Sequence, residues 1–434
     1  MSGKTGGLEV STPIFVSAFA PIWAVALFLL FVPAKASAYS VLAHEAVIDA
    51  SWDAAIKPLL LARYPGSTPE QLAEARSYAY GGSIIQDLGY YPFGSFFFTN
   101  LLHYVRSGDF VQTILRDAQT EDEYAFALGA MAHFFGDTLG HPLGVNPSVA
   151  IRYPKLRKKY GRVVTFEEGK KQHLLVEFSF DVIEVASNAY APQAYHDFIG
   201  FQVARPLLER AFRDTYGLEM KDVFFNEDLA LGTYRRGVSK TIPHMTRVAW
   251  AQKQDQIRKL IPGAQRNRFI YRMTRRQYEA DFGKVYREPS FGAHFLAFIL
   301  NLFPKIAFFR FLSFQPPTPQ MTSLFGHSFE VVTERFTAAT QRLNSGNAPL
   351  SNEDLDTGDP SLPGEYGLAD QTYAELLDRL AARNFADVPA AATANILNFY
   401  SKAIKDPPAS KKERKRWEKT QKELAQLRQS PAKE

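Results

Sequence analysis

The segment His133-Phe-Phe-Gly-Asp137-Thr-Leu-Gly-His141 places a carboxylate between two imidazoles, each four residues away. On an α-helix, residues at this spacing lie on one face, because each step of four drifts by only about 40° around the axis. Imidazole nitrogens and carboxylate oxygens are ligands of zinc. A second stripe, His173-x-x-x-Glu177, follows downstream. Together the two stripes predict a metal-dependent hydrolase.

Each piece also has an ordinary interpretation. His133 and Asp137 alone could be a hydrogen-bonded pair on a helix, and a lone His44 or His103 is more often a surface or core residue than a ligand. Their joint occurrence with Asp87 in the first part of the chain favours a metal site. The remaining histidines are interpreted as structural or surface residues: His196, His244, His294 and His327.

The composition narrows the functional classes. A chain of 434 residues with 46% hydrophobic residues can bury a sizeable core. The net charge is only +5, and much of that excess lies near the C-terminus, which disfavours a dedicated nucleic-acid binder. The chain has no cysteine, so any zinc must be held by nitrogen and oxygen ligands.

The N-terminus is typical of an export signal. A polar start with Lys4 precedes the apolar run Pro13–Val32, and Ala36-Ser-Ala38 fits a signal-peptidase site. We predict a signal peptide over residues 1–38 and a periplasmic or secreted body. The alternative is an uncleaved membrane anchor, because about 20 apolar residues can span a bilayer.

Apolar residues at three-to-four spacing predict a mostly α-helical protein, and strand signals are sparse. Pro142–Val164 is interpreted as a loop that becomes a basic, solvated surface. Ser345–Gly367, rich in Pro, Gly, Asn and Asp, predicts a long loop before a helical hairpin over Leu368–Lys405. The other predicted helical segments are Glu45–Arg63, Thr68–Ala79, Thr99–Arg116, Glu121–Gly140, Phe166–Ala186 and Phe198–Tyr216.

Three segments leave alternatives open. The aromatic stretch Phe291–Phe314 could be an interfacial patch in peripheral contact with a membrane, although a buried helix pair is the preferred interpretation. Tyr90–Phe98 could line a lipid cleft or belong to the core. The basic segment Lys411–Arg428 could bind anionic lipid or nucleic acid, but we favour a solvated helix.

The chain resembles the zinc-dependent phospholipase C family, which is related to single-strand-specific zinc nucleases and to glycosylphosphatidylinositol-specific phospholipase D. The resemblance lies in the ordered set His, Asp, His, His-x-x-x-Asp, His, His-x-x-x-Glu between Tyr39 and Tyr190. It implies a mostly α-helical, phospholipase C/nuclease-like domain over residues 39–200. Residues 201–405 would then be an additional helical C-terminal region of unknown role, and residues 406–434 a basic charged tail.

The resemblance also implies three zinc ions and a role for each matching residue. The implied ligands are Asp87, His103, His133 and Asp137 for the first zinc, His141, His173 and Glu177 for the second, and His44, the bridging Asp137 and the backbone amine and carbonyl of Tyr39 for the third. Asp87 is the implied catalytic residue, which orients or deprotonates the attacking water. The implied reaction is in-line attack by zinc-bound water or hydroxide on a phosphodiester.

Two positions depart from the family's usual pattern. Tyr39 stands where tryptophan is common, a change that ligation through backbone atoms should tolerate. His141 follows Asp137 by four residues, whereas the phospholipase C and nuclease patterns usually place this histidine six residues on. The shorter spacing resembles the phospholipase D branch.

These observations predict an exported zinc-dependent phosphodiesterase acting on phospholipids or related phosphodiesters. One alternative is a single-strand-specific zinc nuclease, which the near-neutral body disfavours. The other is a non-catalytic metal-containing binding protein, which the complete ligand set disfavours. No protein partner can be inferred from the sequence.

Overall fold

The structure is a computed structural model that describes residues 41–187, 202–238, 242–266, 315–344, 349–403 and 410–431. The predicted features outside the described residues include the export signal over residues 1–38, the candidate ligand Tyr39, the interpretation of His196 and His294, and the aromatic stretch Phe291–Phe314. The described residues all belong to one compact unit, which extends from Ala36 to Glu434.

Helices account for all the regular secondary structure of the described residues, apart from one isolated bridge between Glu353 and Pro360. The predicted all-helical fold class is therefore confirmed. The first nine α-helices are α1 (Val41–Ser51), α2 (Lys57–Arg63), α3 (Pro69–Gly82), α4 (Phe96–Tyr104), α5 (Ser107–Asp117), α6 (Glu121–Gly140), α7 (Asn146–Arg152), α8 (Pro154–Tyr160) and α9 (Phe166–Ser187).

Beyond α9 the helices continue, and the predicted hairpin is confirmed as α15 and α16. These later helices are α10 (Arg205–Tyr216), α11 (Met220–Val223), α12 (Glu227–Arg236), α13 (Ile242–Leu260), α14 (Pro319–Asn344), α15 (Gly367–Ala382), α16 (Ala390–Ser401) and α17 (Lys411–Gln429). Among the described residues, no helix is both long and apolar enough to span a membrane.

The interpretation of the start of Pro142–Val164 as a loop is wrong, whereas its basic residues are mostly exposed, as predicted. A single π-helical turn, His141–Val145, continues α6 and leads directly into α7 and α8. Pro142 is the second residue of this π-helical turn, Pro147 is the second residue of α7, and Pro154 is the first residue of α8. Proline is tolerated at the start of α8 because a first-turn N–H has no partner within the helix.

Helix α6 lies at the centre of the core. Nearly all of its side chains from Tyr124 onward are buried, which explains why its apolar residues are not confined to one face. It packs closely against α3, and the approach depends on two glycines. A Cβ added at Gly82 would lie 1.9 Å from the Phe126 carbonyl oxygen, and one added at Gly129 would lie 2.1 Å from the Ala79 carbonyl oxygen.

We expect Gly129→Ala to destabilise the fold strongly, because the clashing atom belongs to the backbone and cannot rotate away. Overpacking of this kind should lower the free energy of unfolding by about 1–3 kcal/mol, and a backbone clash favours the upper end of that range. Gly66→Ala is the matched control, since nothing lies within 4 Å of its added Cβ. Urea unfolding measures both variants, and equal midpoints would contradict the close packing described here.

A buried carboxyl on α9 should make stability depend on pH. Burial, with a smaller contribution from the charge of Asp181, raises the pKa of Glu184 to about 8. The folded state therefore favours the protonated form, and this stabilisation is lost as the pH rises from the ordinary carboxyl range through 8. Because Glu184→Gln stays neutral, its advantage over the wild type should grow with pH by up to about 1.4 kcal/mol per unit. Thermal unfolding between pH 5 and 8 tests this, and parallel curves would contradict it.

Candidate metal centre

Eight of the nine candidate ligands are described, and the fold brings all eight together in one buried cluster, with each residue at most 4% exposed. Six different elements supply them. They are His44 on α1, Asp87 on the 3-10 turn Ile85–Tyr90, His103 on α4, His133 and Asp137 on α6, His141 on the π-helical turn, and His173 and Glu177 on α9.

Asp137 is at the centre of the cluster. Its Oδ2 lies 3.0 Å from Nε2 of His133 and 3.2 Å from Nε2 of His103. Its Oδ1 lies 3.3 Å from Nε2 of His44 and 3.3 Å from Nε2 of His141. Each carboxylate oxygen thus faces a different pair of imidazoles, an arrangement suited to bridging two cations.

In His133 and His103, the hydrogen bond made by Nδ1 determines that Nε2 faces the cluster. His133 Nδ1 lies 2.9 Å from the Ser83 carbonyl oxygen, and His103 Nδ1 lies 2.8 Å from the Thr99 carbonyl oxygen. Since a carbonyl can only accept, each Nδ1 carries the hydrogen and donates it. The Nε2 lone pairs are then directed at Asp137 and Asp87, as in metal sites where an outer hydrogen bond orients the ligand.

A second group of ligands surrounds His173. The amide of Asn146 donates through Nδ2 to the backbone oxygen of Asp356 (2.8 Å), so its Oδ1 accepts from His173 Nε2 at 2.7 Å. His173 Nδ1 therefore presents its lone pair to Glu177 Oε1, 2.6 Å away. His141 Nδ1 lies 4.0 Å from the same Glu177 oxygen.

Within the cluster, three groups have donor atoms close enough to share an ion: His44–His133–Asp137, Asp87–His103–His133 and His141–His173–Glu177. The chemistry of these donors fits zinc, which accepts imidazole and carboxylate ligands. Both oxygens of Asp87 and of Asp137 are buried without a hydrogen-bond partner among the described residues. Imidazole nitrogens and carboxylate oxygens that face one another need positive charge between them, which protons or metal ions can supply.

The pKa shifts have the same electrostatic origin. Burial lowers the pKa of His103, but the carboxylates of Asp137 and Asp87 outweigh it and raise that pKa to about 10. Burial favours protonation of Asp137, yet nearby His133 and His141 hold its pKa well below the ordinary range. Burial also lowers the pKa of His173 and raises that of Glu177. The cluster therefore attracts positive charge, and a metal ion can supply it in place of protons.

Hydrogen bonds outside the cluster hold two of the ligand-bearing elements in place. The Thr99 hydroxyl on α4 donates to the Gln86 carbonyl oxygen (2.7 Å) and accepts from Gly89 N–H (2.8 Å), which ties the turn carrying Asp87 to the helix carrying His103. Asp181, one turn beyond Glu177 on α9, accepts from the backbone N–H of Leu42 at 3.0 Å. This contact fixes the start of α1, the helix of His44.

Aromatic side chains surround the cluster. The Tyr90 ring lies edge-on to His103, with ring centroids 6.3 Å apart, and Phe166 lies edge-on to His173 at 5.7 Å. Further along the Tyr90–Phe98 run, Phe97 and Phe98 are buried in the main core. The run therefore serves the core at one end and borders the ligands at the other.

Three contributors were missed in the sequence: Asn146, Asp181 and Asp356. Asp181 continues the α9 stripe of His173 and Glu177 at the same four-residue spacing, so the helical pattern contained a signal for it. Asn146 falls in the segment interpreted as a loop. Asp356 lies within an Asp- and Gly-rich loop, where no local pattern distinguishes it from its acidic neighbours.

The comparisons with known proteins bear on the same residues. The family model Zinc dependent phospholipase C matches residues 44–226. The match includes every described candidate ligand from His44 to Glu177 and ends well before Asp356. The comparisons with curated proteins and with solved structures gave no significant match. The matched residues and the helical fold that carries them agree with each other. Residues 44–226 therefore form a domain of the zinc-dependent phospholipase C family.

Proposed function

We propose that this chain is an exported zinc-dependent phosphodiesterase that hydrolyses phospholipids or related phosphodiesters. The observation that supports this most directly is the convergence of imidazoles from α1, α4, α6 and the π-helical turn on the two oxygens of Asp137. The complete ligand set, which includes Asp87 as a candidate base, disfavours a non-catalytic metal-containing binding protein.

The proposed ligand roles follow the three groups. Asp137 would bridge two zinc ions, because Oδ2 faces His103 and His133 while Oδ1 faces His44. The proposed sets are Asp87, His103, His133 and Asp137 for the first ion, His141, His173 and Glu177 for the second, and His44, Asp137 and the backbone of Tyr39 for the third. Signal cleavage after Ala38 would begin the mature chain two residues before α1, the helix that carries His44.

Zinc bound here would supply Lewis acidity, which stabilises charge on a phosphoryl oxygen and lowers the pKa of a coordinated water. The chain's own residues would position the reactants. Asp87 is suited to orient or deprotonate the attacking water, since both of its oxygens are buried beside His103 without a hydrogen-bond donor among the described residues. Tyr90, edge-on to His103, would exclude bulk water from this side.

The test offers purified mature protein a phosphocholine ester, a glycerophospholipid and single-stranded DNA, each with and without a chelator. We expect chelator-sensitive lipid cleavage that zinc restores. Phosphorus NMR of the products identifies the bond that is cut. A phosphorylated head group, released from diacylglycerol, indicates C-type cleavage, and phosphatidic acid indicates D-type cleavage. Cleavage of DNA alone would support the nuclease alternative, and no turnover by zinc-loaded protein would contradict the proposed activity.

A further inference from the structure

A carboxylate outside the family match lies against the second group of ligands. Asp356 is buried, and its Oδ1 lies 3.8 Å from His141 Nδ1. Glu177 Oε1 lies 4.0 Å from the same nitrogen. Both distances are too long for hydrogen bonds. They are close to the roughly 3.4 Å that separates two ligands of a tetrahedral zinc bound at about 2.0–2.1 Å.

We propose that Asp356 is a fourth protein ligand of the ion held by His141, His173 and Glu177. This inference rests on the metal centre proposed above and adds a residue that the family match does not contain. The ligand comes from the segment between α14 and α15, beyond the end of the match at residue 226.

The side chain of Asp356 is already held in a ligand-like orientation. Its Oδ2 accepts a hydrogen bond from the Tyr104 hydroxyl at 3.4 Å and another from the Tyr366 hydroxyl. Two donors on one oxygen leave Oδ1 facing His141. Carboxylates that bind metals are commonly fixed in this way by hydrogen bonds to the oxygen that does not bind.

The backbone around Asp356 is tied to two elements that carry other ligands. Leu355 N–H donates to the His103 carbonyl oxygen at 3.0 Å, at the end of α4. The Asn146 amide donates to the Asp356 carbonyl oxygen and accepts from the His173 ring. One asparagine therefore sets the position of both Asp356 and His173. The segment that carries Asp356 is therefore held in position by hydrogen bonds to residues that are themselves candidate ligands or that contact them.

Charge favours the same assignment. Neutral His141 and His173 with one carboxylate, Glu177, would leave a divalent ion with a net charge of about +1 in a buried site. A second carboxylate from Asp356 neutralises that charge. Burying the Asp356 carboxylate without a nearby cation would cost free energy. The ring nitrogen 3.8 Å from its Oδ1 belongs to His141, which is itself a candidate ligand.

The test compares Asp356→Asn with Asp359→Asn in the full mature chain. Asn keeps the shape of the side chain but removes the anionic ligand, and Asp359 is an exposed residue of the same segment. After zinc loading, we expect Asp356→Asn to release one ion per chain to a chelator at least about tenfold faster than wild type. Asp359→Asn should release its zinc ions at the same rates as the wild type. Metal content is measured by mass spectrometry, and circular dichroism checks the fold.

Cobalt(II) substitution separates a ligand from a mere neighbour of His141, because its visible absorption reports the atoms bound to the ion. The absorption of Asp356→Asn should differ from that of wild type. If Asp356→Asn does not fold, Asp356→Glu carries the test, since moving the carboxylate by one methylene must also change the spectrum. Unchanged release and an unchanged spectrum would overturn the inference alone, whereas wild-type protein that binds no zinc would overturn the metal centre itself.

Discussion

Replacing Asp137 with asparagine should abolish hydrolysis and remove metal from the centre of the cluster. The carboxylate faces four ring nitrogens with its two oxygens, and an amide has only one oxygen and no charge to offer. Loss of a bridging ligand should therefore affect two ions at once. We expect activity to fall on the order of 10³-fold or more, because the stabilisation of the developing charge is lost with the metal.

The same substitution distinguishes a bridging ligand from a structural ion pair. Without zinc, a protonated His103 can pair with Asp137, because nearby carboxylates raise the pKa of His103 to about 10. Asp137→Asn loses this pair in the metal-free state and loses the metal as well in the loaded state. Its melting temperature should therefore fall below that of the wild type by more with zinc than without it, and an equal fall in both states would indicate an ion pair alone.

Asp122→Asn is the matched control for this experiment. It makes the same change in the first turn of α6, on the helix that carries Asp137. The control should keep its full metal content and activity. Equal metal content in Asp137→Asn and Asp122→Asn would contradict the bridging role.

Removal of the metal should lower the melting temperature of the wild type by at least about 5 °C. One site at a free zinc concentration a thousandfold above its Kd adds about 4 kcal/mol to the free energy of unfolding. In a compact unit as large as Ala36–Glu434, each kcal/mol shifts the melting temperature by roughly 1.2 °C. Chelation would also leave only protons on the neighbouring histidines to offset the charge of the buried carboxylates Asp87 and Asp137.

Calorimetry of the loaded, chelated and reloaded protein measures this effect. Zinc should restore the melting temperature. Magnesium should not, because it prefers oxygen ligands in near-octahedral geometry. Identical melting of the loaded and fully chelated chains would show that the cluster contributes nothing to folding through a metal.

The α-helix made half of the site predictable from spacing alone. His133, Asp137 and His141 follow the four-residue step of α6, and His173 and Glu177 follow that of α9. Periodicity shows which side chains share a face, but it cannot show which faces meet. The place of His44, Asp87 and His103 beside these stripes therefore depended on the family resemblance.

The contribution of the segment between α14 and α15 could not be predicted in this way. Asp356 reaches the cluster through contacts with Tyr104, Asn146 and Tyr366, which are remote from one another along the chain. The loop that carries it was predicted correctly from its composition. What the composition does not encode is the packing of that loop against α4 and α7.

The fold was predictable where local signals agreed. Thr68 and Thr120 begin α3 and α6 by accepting hydrogen bonds from the backbone N–H groups of Gln71 and Glu123, at or next to the starts predicted for these helices. The prediction failed after Gly140, where Pro142–Val164 was interpreted as a loop. The chain instead continues through a π-helical turn, a feature found frequently at functional sites.

Anomalous X-ray scattering at the zinc edge, from crystals of mature protein grown with zinc, would test the account most directly. We predict one peak within bonding distance of Asp87, His103, His133 and Asp137, and a second within bonding distance of His141, His173 and Glu177. A third should lie beside His44 and the free oxygen of Asp137. Crystals that contain zinc but show no peak among these side chains would contradict the metal centre and the activity proposed from it.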